Sequence, residues 1–141
     1  MIAIIASSFN QRITDGLLKG CLQSLTENNF TDKQINIFRV PGAFEIPAKV
    51  KYLAKTNQYD TIIALGSVIK GETDHYHYIS QAVTNGIMSI SLELENKSPY
   101  IFFGILTCQN KELAIARSGD DFENNKGYEV GLAAISQLND H

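Results

Sequence analysis

Residues 2–6, IAIIA, are apolar throughout and run into Ser7, Ser8 and Asn10, which favour turns. A run this brief, bounded in this way, predicts a buried strand rather than a helix. Beyond it Ile13, Leu17, Leu18, Cys21, Leu22 and Leu25 recur at three- and four-residue spacings until Asn28 and Asn29, the signature of a helix with one apolar face. The alternation then repeats. Residues 35–40 alternate as a strand does, Pro41 and Gly42 interrupt, and Phe44, Ile46, Val50 and Leu53 mark a second helix. Residues 61–66 predict a third strand. Asp74 is placed to cap a helix passing through Tyr78, Ile79 and Val83 and on past Gly86 to Leu94, before Ser98 and Pro99. A fourth strand covers residues 100–106, and helical stretches at 113–118 and 126–138 flank the polar, aperiodic segment 119–125.

Strands apolar on both faces, each followed by a helix, imply a parallel sheet covered on both sides by right-handed crossovers. The expected fold class is α/β, a three-layer α/β/α sandwich on a four-stranded parallel sheet in a flavodoxin-like arrangement. With 141 residues and no internal repeat or linker, one domain over residues 1–141 is expected. Ligands of such sheets sit beyond the carboxyl ends of the strands, here the segments beginning at Ser7, Pro41, Ser67 and Thr107.

Composition narrows the function classes. A content of 44% hydrophobic and 19% charged residues belongs to a folded soluble chain. A net charge of −3 without a Lys/Arg cluster argues against nucleic acid as a partner. No stretch approaches the roughly 20 apolar residues that cross a bilayer, and the first ten residues lack a basic flank, so no membrane association and a cytoplasmic address are expected. Cys21 and Cys108 have neither metal nor redox spacing and read as reduced, partly buried thiols.

The third loop is the richest in candidate chemistry. Gly66 and Gly71 have the glycine spacing of a P-loop, but Glu72-Thr73 stands where Lys-Ser/Thr is required, so a nucleotide site fails on charge. The loop still leads into a helix whose unpaired N–H groups suit an anion, or Gly71 simply makes the turn. His75 follows, as an acid/base at the cleft mouth or as a surface histidine. His75 and His77 are two apart on a predicted helix and do not converge on a metal; none is expected. Arg117 and Lys126 bracket the polar segment as anion ligands or as solvated charges. Phe9, at a strand tip, implies a flat ligand or partner to cover it. Phe44 and Phe103, by periodicity, read as core.

Taken together, SFN at 8–10, VPGAFEIP at 40–47, GSVIKGETDHYHYI at 66–79, IFFGILT at 101–107, AIARSG at 114–119 and NKG at 125–127 resemble the lumazine synthase family over residues 2–138. The resemblance implies a cofactor-free condensation of 5-amino-6-(D-ribitylamino)uracil with 3,4-dihydroxy-2-butanone 4-phosphate, the penultimate step of riboflavin biosynthesis. Phe9 would stack on the pyrimidine, whose edge the Ser67, Val68 and Ile69 backbone would read. Ala43, Phe44 and Glu45 would line the pocket, with Glu45 accepting ribityl hydroxyls. Glu72 and Thr73 would give N–H groups to the phosphate, Arg117 its charge, and Lys126 further support; His75 would be the catalytic acid/base. The resemblance also implies a homopentamer with sites between subunits, Phe103, Arg117 and Lys126 crossing the seam.

Three departures from the family pattern stand out. His77 occupies a usually acidic position, Ala116 replaces a common glutamate, and the chain begins at its first core strand without the added N-terminal strand of many members. The segment 119–124 lacks the Gly-Thr-Lys-x-Gly-Asn pattern of shell-forming relatives, favouring a bare pentamer. An archaeal-type riboflavin synthase and a non-catalytic ligand carrier are the competing readings; the GAFEIP and GETDHY segments oppose the first, and His75, Arg117 and Lys126 together oppose the second.

Overall fold

The computed structural model describes residues 1–71, 74–95 and 98–140. Its four strands are β1 (Ile2–Ser7), β2 (Ile35–Val40), β3 (Thr61–Ile69) and β4 (Tyr100–Cys108), and its α-helices α1 (Gln11–Glu27), α2 (Ile46–Lys55), α3 (His75–Glu93), α4 (Lys111–Ala116) and α5 (Lys126–Asn139). All strand pairings are parallel, in the order β2-β1-β3-β4. The three-layer α/β sandwich expected from the sequence is therefore present.

The two central strands are apolar on both faces because both faces are covered. Ala3, Ile5, Ile62 and Ala64 pack under α2 and α3, while Ile2, Ile4, Ile63 and Leu65 pack under α1 and α5. Successive strand residues point to opposite sides, so each central strand must be hydrophobic at nearly every position. On α1, Ile13, Leu17, Cys21 and Leu25 are 0–1% exposed. Burying an aliphatic side chain of that size contributes about 1.5–3 kcal/mol. Among the described residues no helix is long and apolar enough to cross a membrane.

Several local expectations are corrected. Strand β2 lies at the sheet edge, and Asn36, Ile37 and Arg39 are exposed, so it is not covered on both faces. Strand β3 continues three residues past Gly66 and β4 two past Leu106, because Gly66, Ser67, Val68 and Ile69 keep pairing with Ile105, Leu106, Thr107 and Cys108. Gly66 punctuates nothing: a Cβ there would lie 2.9 Å from Ser7 Oγ and 3.0 Å from the Ile46 side chain, so packing demands the glycine. Asp74 occupies the position before α3, but its side chain makes no capping hydrogen bond; its carbonyl accepts from the N–H groups of His77 and Tyr78 instead. Phe44 is not core but 61% exposed. Both cysteines are buried, and burial pushes the Cys21 thiol up to about 12.

Candidate functional site

The sheet order reverses direction between β1 and β3, and the chain leaves those two strands toward opposite helical layers, the switch point where sheets of this kind carry a ligand crevice at the strands' carboxyl ends. Backbone hydrogen bonds fasten its rim. The N–H of Ser8 donates to Val40 O at 2.8 Å and that of Phe9 to Pro41 O at 2.9 Å, tying the loop after β1 to the loop after β2. Asn10, in the left-handed region at φ 58°, starts α1 and extends its amide toward Ser67 Oγ at 3.5 Å. On the far side, Lys70 N–H donates to Cys108 O at 2.9 Å.

This geometry brings together most of the residues singled out from the sequence. Phe9 holds its ring 68% exposed at the rim, a large apolar surface that desolvation by a flat ligand or a partner would stabilise. Ala43 is buried, whereas Phe44 and Glu45 beside it are exposed. Glu45 Oε1 accepts from Gly42 N–H at 3.0 Å, so one carboxylate oxygen fixes the loop. Ser67 and Val68 are buried and Ile69 half-buried in the last turn of β3's course. Pairing of β3 with β1 stops at Leu65, while pairing with β4 continues to Ile69. Beyond Leu65, one side of the β3 backbone thus faces the loops rather than a strand. His75 opens α3 and is exposed, as is His77, which meets Tyr76 edge to face at 5.1 Å. Glu72 and Thr73 lie outside the described residues. Among those described, no group of three or more His, Cys, Asp or Glu side chains gathers as a metal site.

A second cluster sits between the end of α4 and the start of α5, against α1. Arg117 ends α4 with its side chain 51% exposed, and its carbonyl accepts from Lys126 N–H at 2.8 Å. Both cations converge on Glu129: Arg117 Nη2 lies 3.7 Å from Oε2 and Lys126 Nζ 3.4 Å from Oε1. Ala116, Arg117, Asp121, Glu123, Asn124 and Glu129 line an open cleft here. The Arg117 charge also reaches Cys108, where it opposes the upward shift that burial imposes on that thiol.

Phe103 does not join the first cluster. It is half-buried on the edge strand opposite Ala64, five residues before Cys108, hence about 16 Å below the carboxyl end at a strand's rise per residue. Sequence reasoning also missed Glu129, although its i,i+3 spacing from Lys126 on a predicted helix was a usable signal. It missed the buried Ser7 hydroxyl, which has no hydrogen-bond partner among the described residues.

A family model described as 6,7-dimethyl-8-ribityllumazine synthase matches residues 1–141. Among curated relatives, the 6,7-dimethyl-8-ribityllumazine synthase of Coxiella burnetii (strain Dugway 5J108-111) is 46% identical over 137 residues, covering 97% of this chain and 88% of the relative. Proteins of the same description from the CbuG_Q212 and RSA 493 strains are 45% identical with the same coverage.

Proposed function

The chain belongs to the 6,7-dimethyl-8-ribityllumazine synthase family, a family of transferases in riboflavin biosynthesis, and we propose that it condenses 5-amino-6-(D-ribitylamino)uracil with 3,4-dihydroxy-2-butanone 4-phosphate. The products are 6,7-dimethyl-8-ribityllumazine, phosphate and water. The pyrimidine's primary amine attacks the ketone and water leaves as the imine forms. Phosphate is then eliminated, and the ribityl-bearing nitrogen closes the second ring with loss of another water. These steps shift protons and expel leaving groups with no net redox change, so the protein's own side chains suffice and no cofactor takes part. The whole chain acts as one domain, in the cytoplasm.

The observation that carries this reading is the exposed Phe9 ring beside the 42–45 loop and the free flank of β3, a flat apolar platform bordered by backbone polar groups. Phe9 stacks on the pyrimidine, and the backbone of Ser67, Val68 and Ile69 reads its edge. Ala43 and Phe44 wall the pocket, and the Glu45 oxygen not held by Gly42 accepts ribityl hydroxyls. His75 relays protons during imine formation and elimination. Glu72 and Thr73, ahead of α3, give their N–H groups to the phosphate, where a long helix favours negative charge. Arg117 clamps the same phosphate in the forked manner of a guanidinium, supported by Lys126.

Phe103 lies on the edge strand β4 well below its carboxyl end, and the Arg117 side chain is half exposed at the surface, an arrangement that fits a site completed by a second copy of the chain. The exposed apolar side chains of Tyr78, Met88 and Leu92 on α3 support self-association, for which we take a pentamer. Subunit complementation tests both the reaction and the shared site. Phe9→Ala and Arg117→Ala each lower lumazine formation. Co-assembled one to one, they regain about a quarter of wild-type sites, because random neighbours pair an intact platform with an intact cation clamp at that frequency. Activity no greater than the sum of the separate variants would overturn the shared site.

A further inference from the structure

Arg117 and Lys126 owe their mutual placement to a buried amide that belongs to neither. Asn125 is 1% exposed. Its Nδ2 donates to Gly16 O at 3.1 Å and to Gly119 O at 2.9 Å, and its Oδ1 accepts from Tyr128 N–H at 3.0 Å as the cap of α5. Both amide protons and the carbonyl are thus engaged, by three different stretches of chain: α1, the turn two residues beyond Arg117, and the first turn of α5. The surroundings leave this side chain no freedom. A Cβ on Gly20 would land on Asn125 Oδ1, one on Gly16 on the Ser118 carbonyl, and one on Gly127 on the Leu17 carbonyl, so α1 presses on the loop at both ends.

We propose that Asn125 is the positioning residue of the phosphate clamp. It sets the separation between the Arg117 guanidinium and the Lys126 ammonium by closing the 117–126 loop against α1. The short hydrogen bond from Lys126 N–H to Arg117 O completes that closure. The assignment rests on the phosphate role of Arg117 given above. Asn125 touches no substrate and acts through the two cations. A clamp misplaced by about 1 Å can lose on the order of a hundredfold in effectiveness, so loss of the amide registers in handling of the phosphorylated substrate.

The test uses the assembled protein and steady-state kinetics on both substrates. Asn125→Asp keeps the shape and the capping oxygen but sets a carboxylate against the carbonyls of Gly16 and Gly119. Asn125→Ser keeps an oxygen for the cap and carries the test if the aspartate variant does not fold. The expected result is a rise of about tenfold in KM for the butanone phosphate with KM for the pyrimidine within about twofold. Added to Arg117→Ala, the same substitution raises that KM by clearly less than about tenfold, what remains passing through Lys126, since residues acting through one element are not additive. A folded, oligomeric variant with both KM values raised equally, with neither raised, or with a fully additive effect on Arg117→Ala overturns the assignment. Failure of the underlying phosphate reading shows separately: Arg117→Ala itself then leaves KM for the butanone phosphate unchanged, and the positioning role falls with it.

Discussion

Replacing Glu129 with glutamine keeps the length of the side chain and removes the carboxylate that Arg117 and Lys126 share. At separations of 3.7 and 3.4 Å, each pair is worth about 1.1–1.2 kcal/mol by Coulomb's law in water. Arg117 and Glu129 are 51% and 63% exposed and Lys126 26%. The lower range found for exposed pairs, about 0.2–1 kcal/mol each, therefore applies. Two such pairs give about 0.4–2 kcal/mol, or a factor of about two to thirty in affinity. If substrate phosphate takes both cations from Glu129, that free energy opposes binding in the native protein. Glu129→Gln should then lower KM for the butanone phosphate, and the inhibition constant of inorganic phosphate, by about fivefold within this range. Steady-state kinetics at saturating pyrimidine, run at low and high ionic strength, measure it, and the gain should shrink as salt screens the pairs. Unchanged constants at low salt would refute the competition. A raised KM would refute it more sharply, since Glu129 would then be aiming the guanidinium rather than occupying it.

Phe9→Ala should raise KM for the pyrimidine while leaving the melting temperature nearly unchanged in a thermal scan, because a side chain 68% exposed adds little to folding. His75→Ala should lower kcat by about a hundredfold, the low end of acid/base contributions, and leave measurable turnover because alignment of the two reactants survives; complete loss in a folded variant would contradict this. Gly127→Ala places a methyl against the Leu17 carbonyl, backbone to backbone, and should cost at least about 1–3 kcal/mol, seen as a melting temperature lower by about 3–10 °C. Burial pushes the Cys21 thiol up to about 12 from 9.0. At pH 8 its thiolate is therefore about a thousandfold scarcer than that of an ordinary cysteine, and a disulfide reagent should label it quickly only after denaturant is added.

The central strands were legible because burial on both faces forces unbroken apolar runs, as in IAIIA at 2–6. The exposure of β2 was not, since edge position follows from the order of strands in space, to which Asn36 and Arg39 give no local clue. Gly66 and Ser67 looked like the end of a strand because the pressure that demands a glycine comes from Ser7 and Ile46, far away in sequence. Phe44 fell on a helical periodicity, yet a short 3-10 turn at Ala43–Glu45 precedes α2 and rotates the ring outward. The loop after each strand could be singled out from the sequence, because parallel topology directs ligands to the carboxyl ends of the strands. What escaped were the contacts that organise the cations: Asn125 reaches Gly16 across 109 residues, and no spacing rule spans that interval.

In the proposed reaction the Phe9 platform and the Arg117 clamp act together in lumazine formation. The most direct test mixes the purified oligomer with ribitylaminouracil and butanone phosphate and follows 6,7-dimethyl-8-ribityllumazine by absorbance against a protein-free control. Product formed faster than in the control, with a rate that falls in both Phe9→Ala and Arg117→Ala, is the predicted result. A folded oligomer that forms product no faster than the control would contradict the claim.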